Sequence, residues 1–213
     1  MTDHHHDHDD PHAPIEEQAG PPTPHELLEH ALRELLVEKG IFQAGDVQAY
    51  IENMELRTPA QGARMVAKIW NDPAYRRLAL EDGKAAATAL DIDVSVAPEL
   101  VILENTPERH YVVVCTLCSC YPRMVLGVPP AWYKSRAYRS RVVGEPREVL
   151  REFGTELPAE TEIQVVDSTA DMRYLVVPMR PAGTEDWSEE RLAKLVTRDS
   201  MVGVSVAKDP ATV

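Results

Sequence analysis

Tyr111-Val112-Val113-Val114-Cys115-Thr116-Leu117-Cys118-Ser119-Cys120 is the stretch whose reading decides the fold. Its first four residues are apolar and rich in β-branched side chains, the composition of a buried strand. They run directly into a short loop that holds all three cysteines of the 213-residue chain. Scattered cysteines would read as core filler, because a free thiol packs like a small hydrophobe. Three thiols on one loop can instead share one ion, and thiolates are strong, soft metal ligands. An odd, clustered count argues against a disulfide framework and fits a reducing compartment.

Outward from this stretch the character is mixed. Leu100 to Leu103, Ile163 to Val166, Arg173 to Val177 and Met201 to Val206 read as further strands. Helices are predicted over Ala131 to Arg141, over Pro146 to Phe153 with Gly154 as the stop, and from Ser188 to Val196. Residues 23–90 read as helical throughout. Thr23-Pro24-His25-Glu26 combines an N-cap, a proline suited to the first helical position and a capping-box glutamate. Leu27, Leu28, Ala31, Leu32, Leu35 and Leu36 then share one face, and Gly40 ends the helix. Thr58-Pro59 and Asp72-Pro73 repeat the start signal. Amphipathic helices in series read as an arm laid on another surface rather than a closed bundle.

The expected class is α+β: a helical N-terminal arm followed by a layered α/β domain carrying the metal loop at a strand end. The expected organisation has four parts. Residues 1–22 form a disordered tail rich in His and Asp, with His4, His5, His6, His8 and His12 able to gather metal loosely. Residues 23–94 form the arm, 95–207 the metal-binding catalytic domain, and 208–213 a short tail.

The net charge of −13 is unevenly placed. Residues 1–30 carry eight acids and no Lys or Arg, leaving 27 acids against 22 bases elsewhere. Between residues 121 and 151 the sign reverses: Arg123, Lys134, Arg136, Arg139, Arg141, Arg147 and Arg151 face only Glu145 and Glu148. No stacking-aromatic motif accompanies these cations, so they point to a partner subunit or an anionic ligand rather than nucleic acid. No apolar run reaches the roughly 18 residues that cross a membrane, and the first thirty residues lack the apolar stretch of a signal peptide. A cytoplasmic location without membrane association is the expectation.

Ligand counting sharpens the cysteine loop. A closed zinc site needs four protein ligands, and an iron–sulfur cluster wants four as well. Outside the first thirty residues the only histidine is His110. It lies at the far end of a strand that spans roughly 16 Å at about 3.3 Å per residue. Either a carboxylate from elsewhere joins, or the loop's own backbone does. Drawing Cys118 and Cys120 onto one ion brings the amides of Ser119 and Cys120 against it. Amide nitrogens bind only when deprotonated, which calls for a strongly polarising low-spin ion such as Co(III) or Fe(III). Three sulfurs and two nitrogens leave one octahedral position open, the mark of a catalytic site.

Val114 to Cys120 resembles the metal-binding motif of the nitrile hydratase alpha subunit. The likeness extends through Leu126-Gly127-Val128-Pro129-Pro130-Ala131-Trp132-Tyr133-Lys134-Ser135, Tyr138 to Val143, Glu145-Pro146-Arg147, Arg180 to Glu185 and Val196 to Asp199. It covers about residues 23–207. The resemblance implies one metal ion per chain, bound by Cys115, Cys118 and Cys120 and by the Ser119 and Cys120 amides. Thr116 matches the cobalt variant, so Co(III) is expected ahead of Fe(III). The resemblance further implies Cys118 as sulfinic acid, Cys120 as sulfenic acid and Cys115 as an unmodified axial thiolate. The implied reaction is hydration of a small-molecule nitrile to an amide, a lyase activity with Cys120 as catalytic residue. Implied partners are beta-type subunits, as one chain or two separate ones, and a cobalt-delivering maturation chaperone.

Two departures matter. Arg123 stands where most nitrile hydratases have Trp, a feature shared with the related thiocyanate hydrolase, and it is a candidate substrate-pocket residue for an anion or a polar nitrile. No Gln lies between Gln61 and Gln164, where many family members have one before the motif strand. The metal-bearing subunit of a thiocyanate hydrolase is therefore the alternative enzyme. A metal-binding or redox-sensing module is the non-enzymatic alternative, and it predicts labile zinc or copper on unmodified cysteines.

Overall fold

The computed structural model describes residues 21–118 and 120–213, the side chains of Asn53 and Glu55 excepted. The expectations for residues 1–20 and for Ser119 fall outside the described residues. The chain divides into two units, one of them Ile15–Leu56. Its first helix, α1 (Pro24–Glu38), begins as its sequence dictates. Thr23 Oγ1 accepts from Glu26 N, and the Glu26 carboxylate accepts from Thr23 N. Gly40 follows in the left-handed region at φ +68°. A second helix, α2 (Asp46–Glu55), completes the described part. The leucines of the α1 apolar face, Leu27, Leu28, Leu32 and Leu35, are exposed.

The other unit holds residues 57–213 and every strand. Helix α3 (Pro59–Asn71) follows Thr58, whose side chain makes no capping bond. Asp72 caps α4 (Pro73–Glu81) through Ala74 N and Tyr75 N, and Asp82 caps α5 (Gly83–Thr88). Four strands follow: β1 (Glu99–Glu104), β2 (Arg109–Val114), β3 (Glu162–Asp167) and β4 (Met172–Val177). They form two parallel pairs, β1 with β4 and β2 with β3. Helices α4 and α5 pack on β1, so packing joins these helices to the strands although their sequence reads as part of a helical series. The core centres on Met65, Val66 and Ile69 of α3, Leu100 and Ile102 of β1, Val112 to Val114, and Leu175 to Val177. The architecture is mixed helix and strand, as the α+β expectation holds.

Two local expectations are corrected. The helix expected over Ala131 to Arg141 is two: α7 (Ala131–Lys134) and α8 (Arg136–Gly144), preceded by a short α6 (Arg123–Leu126). Ser135 adopts extended backbone between them, and its hydroxyl caps Tyr138 N. Beyond α9 (Pro146–Glu152) and α10 (Glu189–Ala193), the strand expected at Met201 to Val206 is replaced by helix α11 (Arg198–Val202) and a turn. Thr197 and Ser200 form a reciprocal cap, and Gly203 at φ +91° ends the helix against the Tyr111 carbonyl, where a Cβ would collide. These local bonds override the β preference of Val202, Val204 and Val206.

Candidate metal centre

The loop begins where β2 ends. Val114 pairs with Asp167, the last residue of β3, and Ser168 N donates to the Val114 carbonyl at 2.7 Å. Both parallel strands therefore finish at one edge, with the cysteines following β2 and a carboxylate ending β3. Asp167 grips the loop: Oδ1 accepts from Thr116 N at 3.0 Å and Oδ2 from Thr116 Oγ1 at 2.5 Å.

Cys115 is buried, Cys118 exposed and Cys120 half-buried. Their sulfurs nonetheless converge within 4.8 Å of one another. Cys115 Sγ lies 3.4 Å from Cys118 Sγ, which lies 3.2 Å from Cys120 Sγ. Cys118 N also approaches Cys115 Sγ at 3.3 Å, the tight turn that folds the loop back. With metal–thiolate bonds of about 2.3 Å, these two spacings correspond to Cys118 standing at about a right angle to each of the other sulfurs about one ion. Among the described residues no imidazole or carboxylate joins the three sulfurs, and Asp167 is engaged with Thr116. Burial, and then the hydrogen bond with Cys118, push the Cys120 thiol up to about 12, with Arg173 pulling the other way. A multivalent cation shared by the three sulfurs would oppose that shift and favour thiolates. The donor set fits a soft or low-spin ion.

The remaining loop contacts come from α7 and α8. Tyr133 Oη donates to the Cys120 carbonyl at 2.8 Å, and Arg139 Nη1 to the Cys118 carbonyl at 3.1 Å. Tyr138 Oη donates to the Val113 carbonyl at 2.6 Å. The break at Ser135 directs Tyr133 and Tyr138 at either side of the loop. Their rings pack edge-on in a cluster with Trp132, Tyr121 and Phe153, at centroid distances of 4.8 Å for Trp132–Phe153 and 4.9 Å for Tyr121–Tyr133. Leu117, at the tip, is 91% exposed.

Arg123 opens α6, three residues after Cys120, with an exposed side chain that has no ion-pair partner among the described residues. His110 stays at the opposite end of β2. Its Nε2 donates to the Gly203 carbonyl at 2.7 Å, and its Nδ1 accepts from Asn105 Nδ2 at 3.0 Å. It borders a cavity of about 600 Å³ that also touches Leu157 and Met179 and contains no cysteine. The sequence pattern groups Arg139 with the basic residues of 121–151 and Tyr133 with the family-like segment, but aims neither at the loop. The one available signal for Asp167 is an acid directly after Val165-Val166, mirroring Cys115 after Val112 to Val114.

Comparison with known proteins agrees with this geometry. The family model described as nitrile hydratase, alpha chain, matches residues 23–205. The alpha subunit of the high-molecular-weight cobalt-containing nitrile hydratase of Rhodococcus rhodochrous is 49% identical over 193 residues, covering 90% of this chain and 95% of that one. The gamma subunit of thiocyanate hydrolase from Thiobacillus thioparus is 46% identical over 199 residues, covering 88% and 82%. A solved structure of recombinant thiocyanate hydrolase with partially modified cobalt centres superposes with a TM-score of 0.82 at 45% identity, covering 88% of this chain and 92% of that chain. The chain belongs to the nitrile hydratase alpha-chain family, a family of enzyme subunits. No helix among the described residues is long and apolar enough to cross a membrane.

Proposed function

We propose that this chain is the metal-bearing, alpha-type subunit of a cytoplasmic cobalt nitrile hydratase, with residues 95–207 as its catalytic domain. Of the 23–94 segment, only the α1–α2 part is an arm laid on a partner, since α3 to α5 belong to the unit that holds the strands. The observation that carries the reading is the convergence of three sulfurs within reach of one ion. Cys115, Cys118 and Cys120, with the amides of Ser119 and Cys120, would hold one Co(III); support for cobalt over iron comes from Thr116 and from the cobalt-containing relative. Bound there, Co(III) supplies Lewis acidity that polarises the C≡N bond of a nitrile. Cys115 contributes an unmodified thiolate from a buried position, shielded from oxidation. Cys118 and Cys120, the more accessible pair, are carried as sulfinate and sulfenate. The sulfenate oxygen of Cys120 is the nucleophile toward the nitrile carbon. Its bond to sulfur breaks as the amide leaves, a water gives sulfur a new oxygen and its two hydrogens end on nitrogen, so net turnover adds one water across the nitrile. Asp167, Tyr133 and Arg139 fix the loop so that this oxygen keeps one position.

The exposed α1 leucines and the exposed Leu117 support a beta-type partner, in one chain or two, closing the pocket around the loop. Metal loading falls to a cobalt-delivering chaperone. Arg123, exposed at the start of α6, favours a second reading: the metal subunit of a thiocyanate hydrolase, in which its guanidinium receives the anion.

The test is metal analysis and intact mass of the cysteine peptide from the assembled complex, followed by turnover of an organic nitrile and of thiocyanate. One cobalt per chain with three added oxygens on Cys118 and Cys120 supports either enzyme. Nitrile turnover selects the first reading and thiocyanate turnover the second. Unmodified thiols carrying zinc, in protein matured beside its partners, would sink both.

A further inference from the structure

We propose that Arg139 is a positioning residue for the metal centre, acting on a ligand nitrogen through the carbonyl oxygen it holds. Its Nη1 donates to the Cys118 carbonyl at 3.1 Å. A peptide unit is one planar, delocalised group, so the oxygen of Cys118 shares its electrons with the nitrogen that follows, that of Ser119. The inference rests on the reading that this nitrogen binds the metal as an anion. An anionic peptide spreads its charge over nitrogen and oxygen, and the oxygen end is where a cation can meet that charge without touching the metal. Hydrogen bonds with one ionised partner are about twice as strong as neutral ones.

Arg139 is suited to this. It sits half-buried on α8 with no carboxylate partner among the described residues, so its positive charge is not neutralised within the described chain. Arg141, two residues on, is tied instead to Glu145 and Glu152 at 2.6 Å each. Asp167 on the other side of the loop holds Thr116, which supplies no ligand atom. Tyr133 gives the internal control. It holds the Cys120 carbonyl at 2.8 Å with a neutral hydroxyl, and the nitrogen conjugated to that oxygen belongs to Tyr121, outside the ligand set. Two side chains thus hold two carbonyls of one loop, and only the charged one is conjugated to a ligand.

The experiment uses the assembled, metal-loaded complex, prepared with cysteine labelled at its carbonyl carbon. Infrared difference spectra then report the Cys118 carbonyl, an anionic peptide absorbing below an ordinary amide. Arg139→Gln is expected to shift that isotope-sensitive band and the charge-transfer absorption, and to speed metal loss to a chelator about ten-fold. Arg139→Lys is expected to fall closer to the parent protein in both, and Tyr133→Phe to leave the band in place. An unshifted band with unchanged metal loss in Arg139→Gln overturns the role of Arg139 and leaves the anionic ligand standing. Arg139→Lys behaving as Arg139→Gln overturns the argument from charge. No isotope-sensitive anionic band in the parent complex removes the ligand reading itself.

Discussion

The two ends of β2 carry residues of metal-ligand type under opposite conditions. At its N-terminal end His110 is 4% exposed and both ring nitrogens are hydrogen-bonded, to Gly203 and Asn105. At its C-terminal end three thiols face one another, while the Thr116 amide and the Cys118 and Cys120 carbonyls are held by Asp167, Arg139 and Tyr133. The polar atoms of the first end are satisfied by the protein. At the second end these three backbone groups are held from outside the loop, and the sulfurs contact one another and the Cys118 amide within it. A candidate ligand is better recognised by donor atoms that converge on one point than by its residue type.

The contrast can be broken most severely at the sulfurs. Cys120→Ala is expected to abolish metal retention and lower turnover of the assembled enzyme by at least about 100-fold. Cys118→Ala should do the same while shifting stability by only about 0.5 kcal/mol, since the residue is exposed. A large fall in thermal midpoint for Cys118→Ala would make the loop part of the folding core. His110→Leu should behave in the opposite way. It leaves the Gly203 carbonyl and the Asn105 amide unpaired in a buried site, a cost of about 3 kcal/mol, with metal stoichiometry unchanged in the protein that folds. Loss of cobalt in parallel with stability would erase the distinction.

Asp167→Ala is a milder probe. It removes both bonds to Thr116, and the Thr116 amide should exchange with solvent about ten-fold faster. Protection equal to the parent would mean that Arg139 and Tyr133 suffice to hold the loop.

The smallest effect is in pH. Burial lowers the His110 pKa, offset in part by the Gly203 bond. The unfolded chain takes its proton near the ordinary histidine value of about 6.5, and the folded chain only at lower pH. Between those points the unfolded state binds more protons, so stability rises with pH. The contribution is whole above the unfolded value and is lost as pH falls below it. His110→Gln should flatten this part of the stability–pH curve, measured against the parent chain by chemical denaturation; an unchanged slope would assign it to other groups.

What was legible in the sequence was local. The α1 capping box needs residues three apart, and the cysteine motif needs six consecutive ones. The starts of α4 and α10 at Asp72 and Ser188 are equally local. The last strand failed because Thr197 and Ser200 cap each other and outweigh β-branched propensity over so short a segment. The single helix failed because Ser135 found a better partner in Tyr138 N than in continuing the turn. At the site, the cysteines were legible but their supports were not. Asp167 lies 51 residues from Thr116, and Arg139 lies 21 from Cys118. Such contacts depend on how β3 aligns with β2, which one sequence does not encode in any short window.

That alignment has a further meaning. Val114 stands opposite Asp167, and a slip of one residue would present Val166 or Ser168 at the mouth of the loop instead. Neither offers the two oxygens that Thr116 takes from the aspartate. The carboxylate is thus an index mark on the sheet. A misaligned pair of strands would leave the cysteine loop without its grip on Thr116, so the geometry of the three sulfurs depends on the register of two strands that carry none of them.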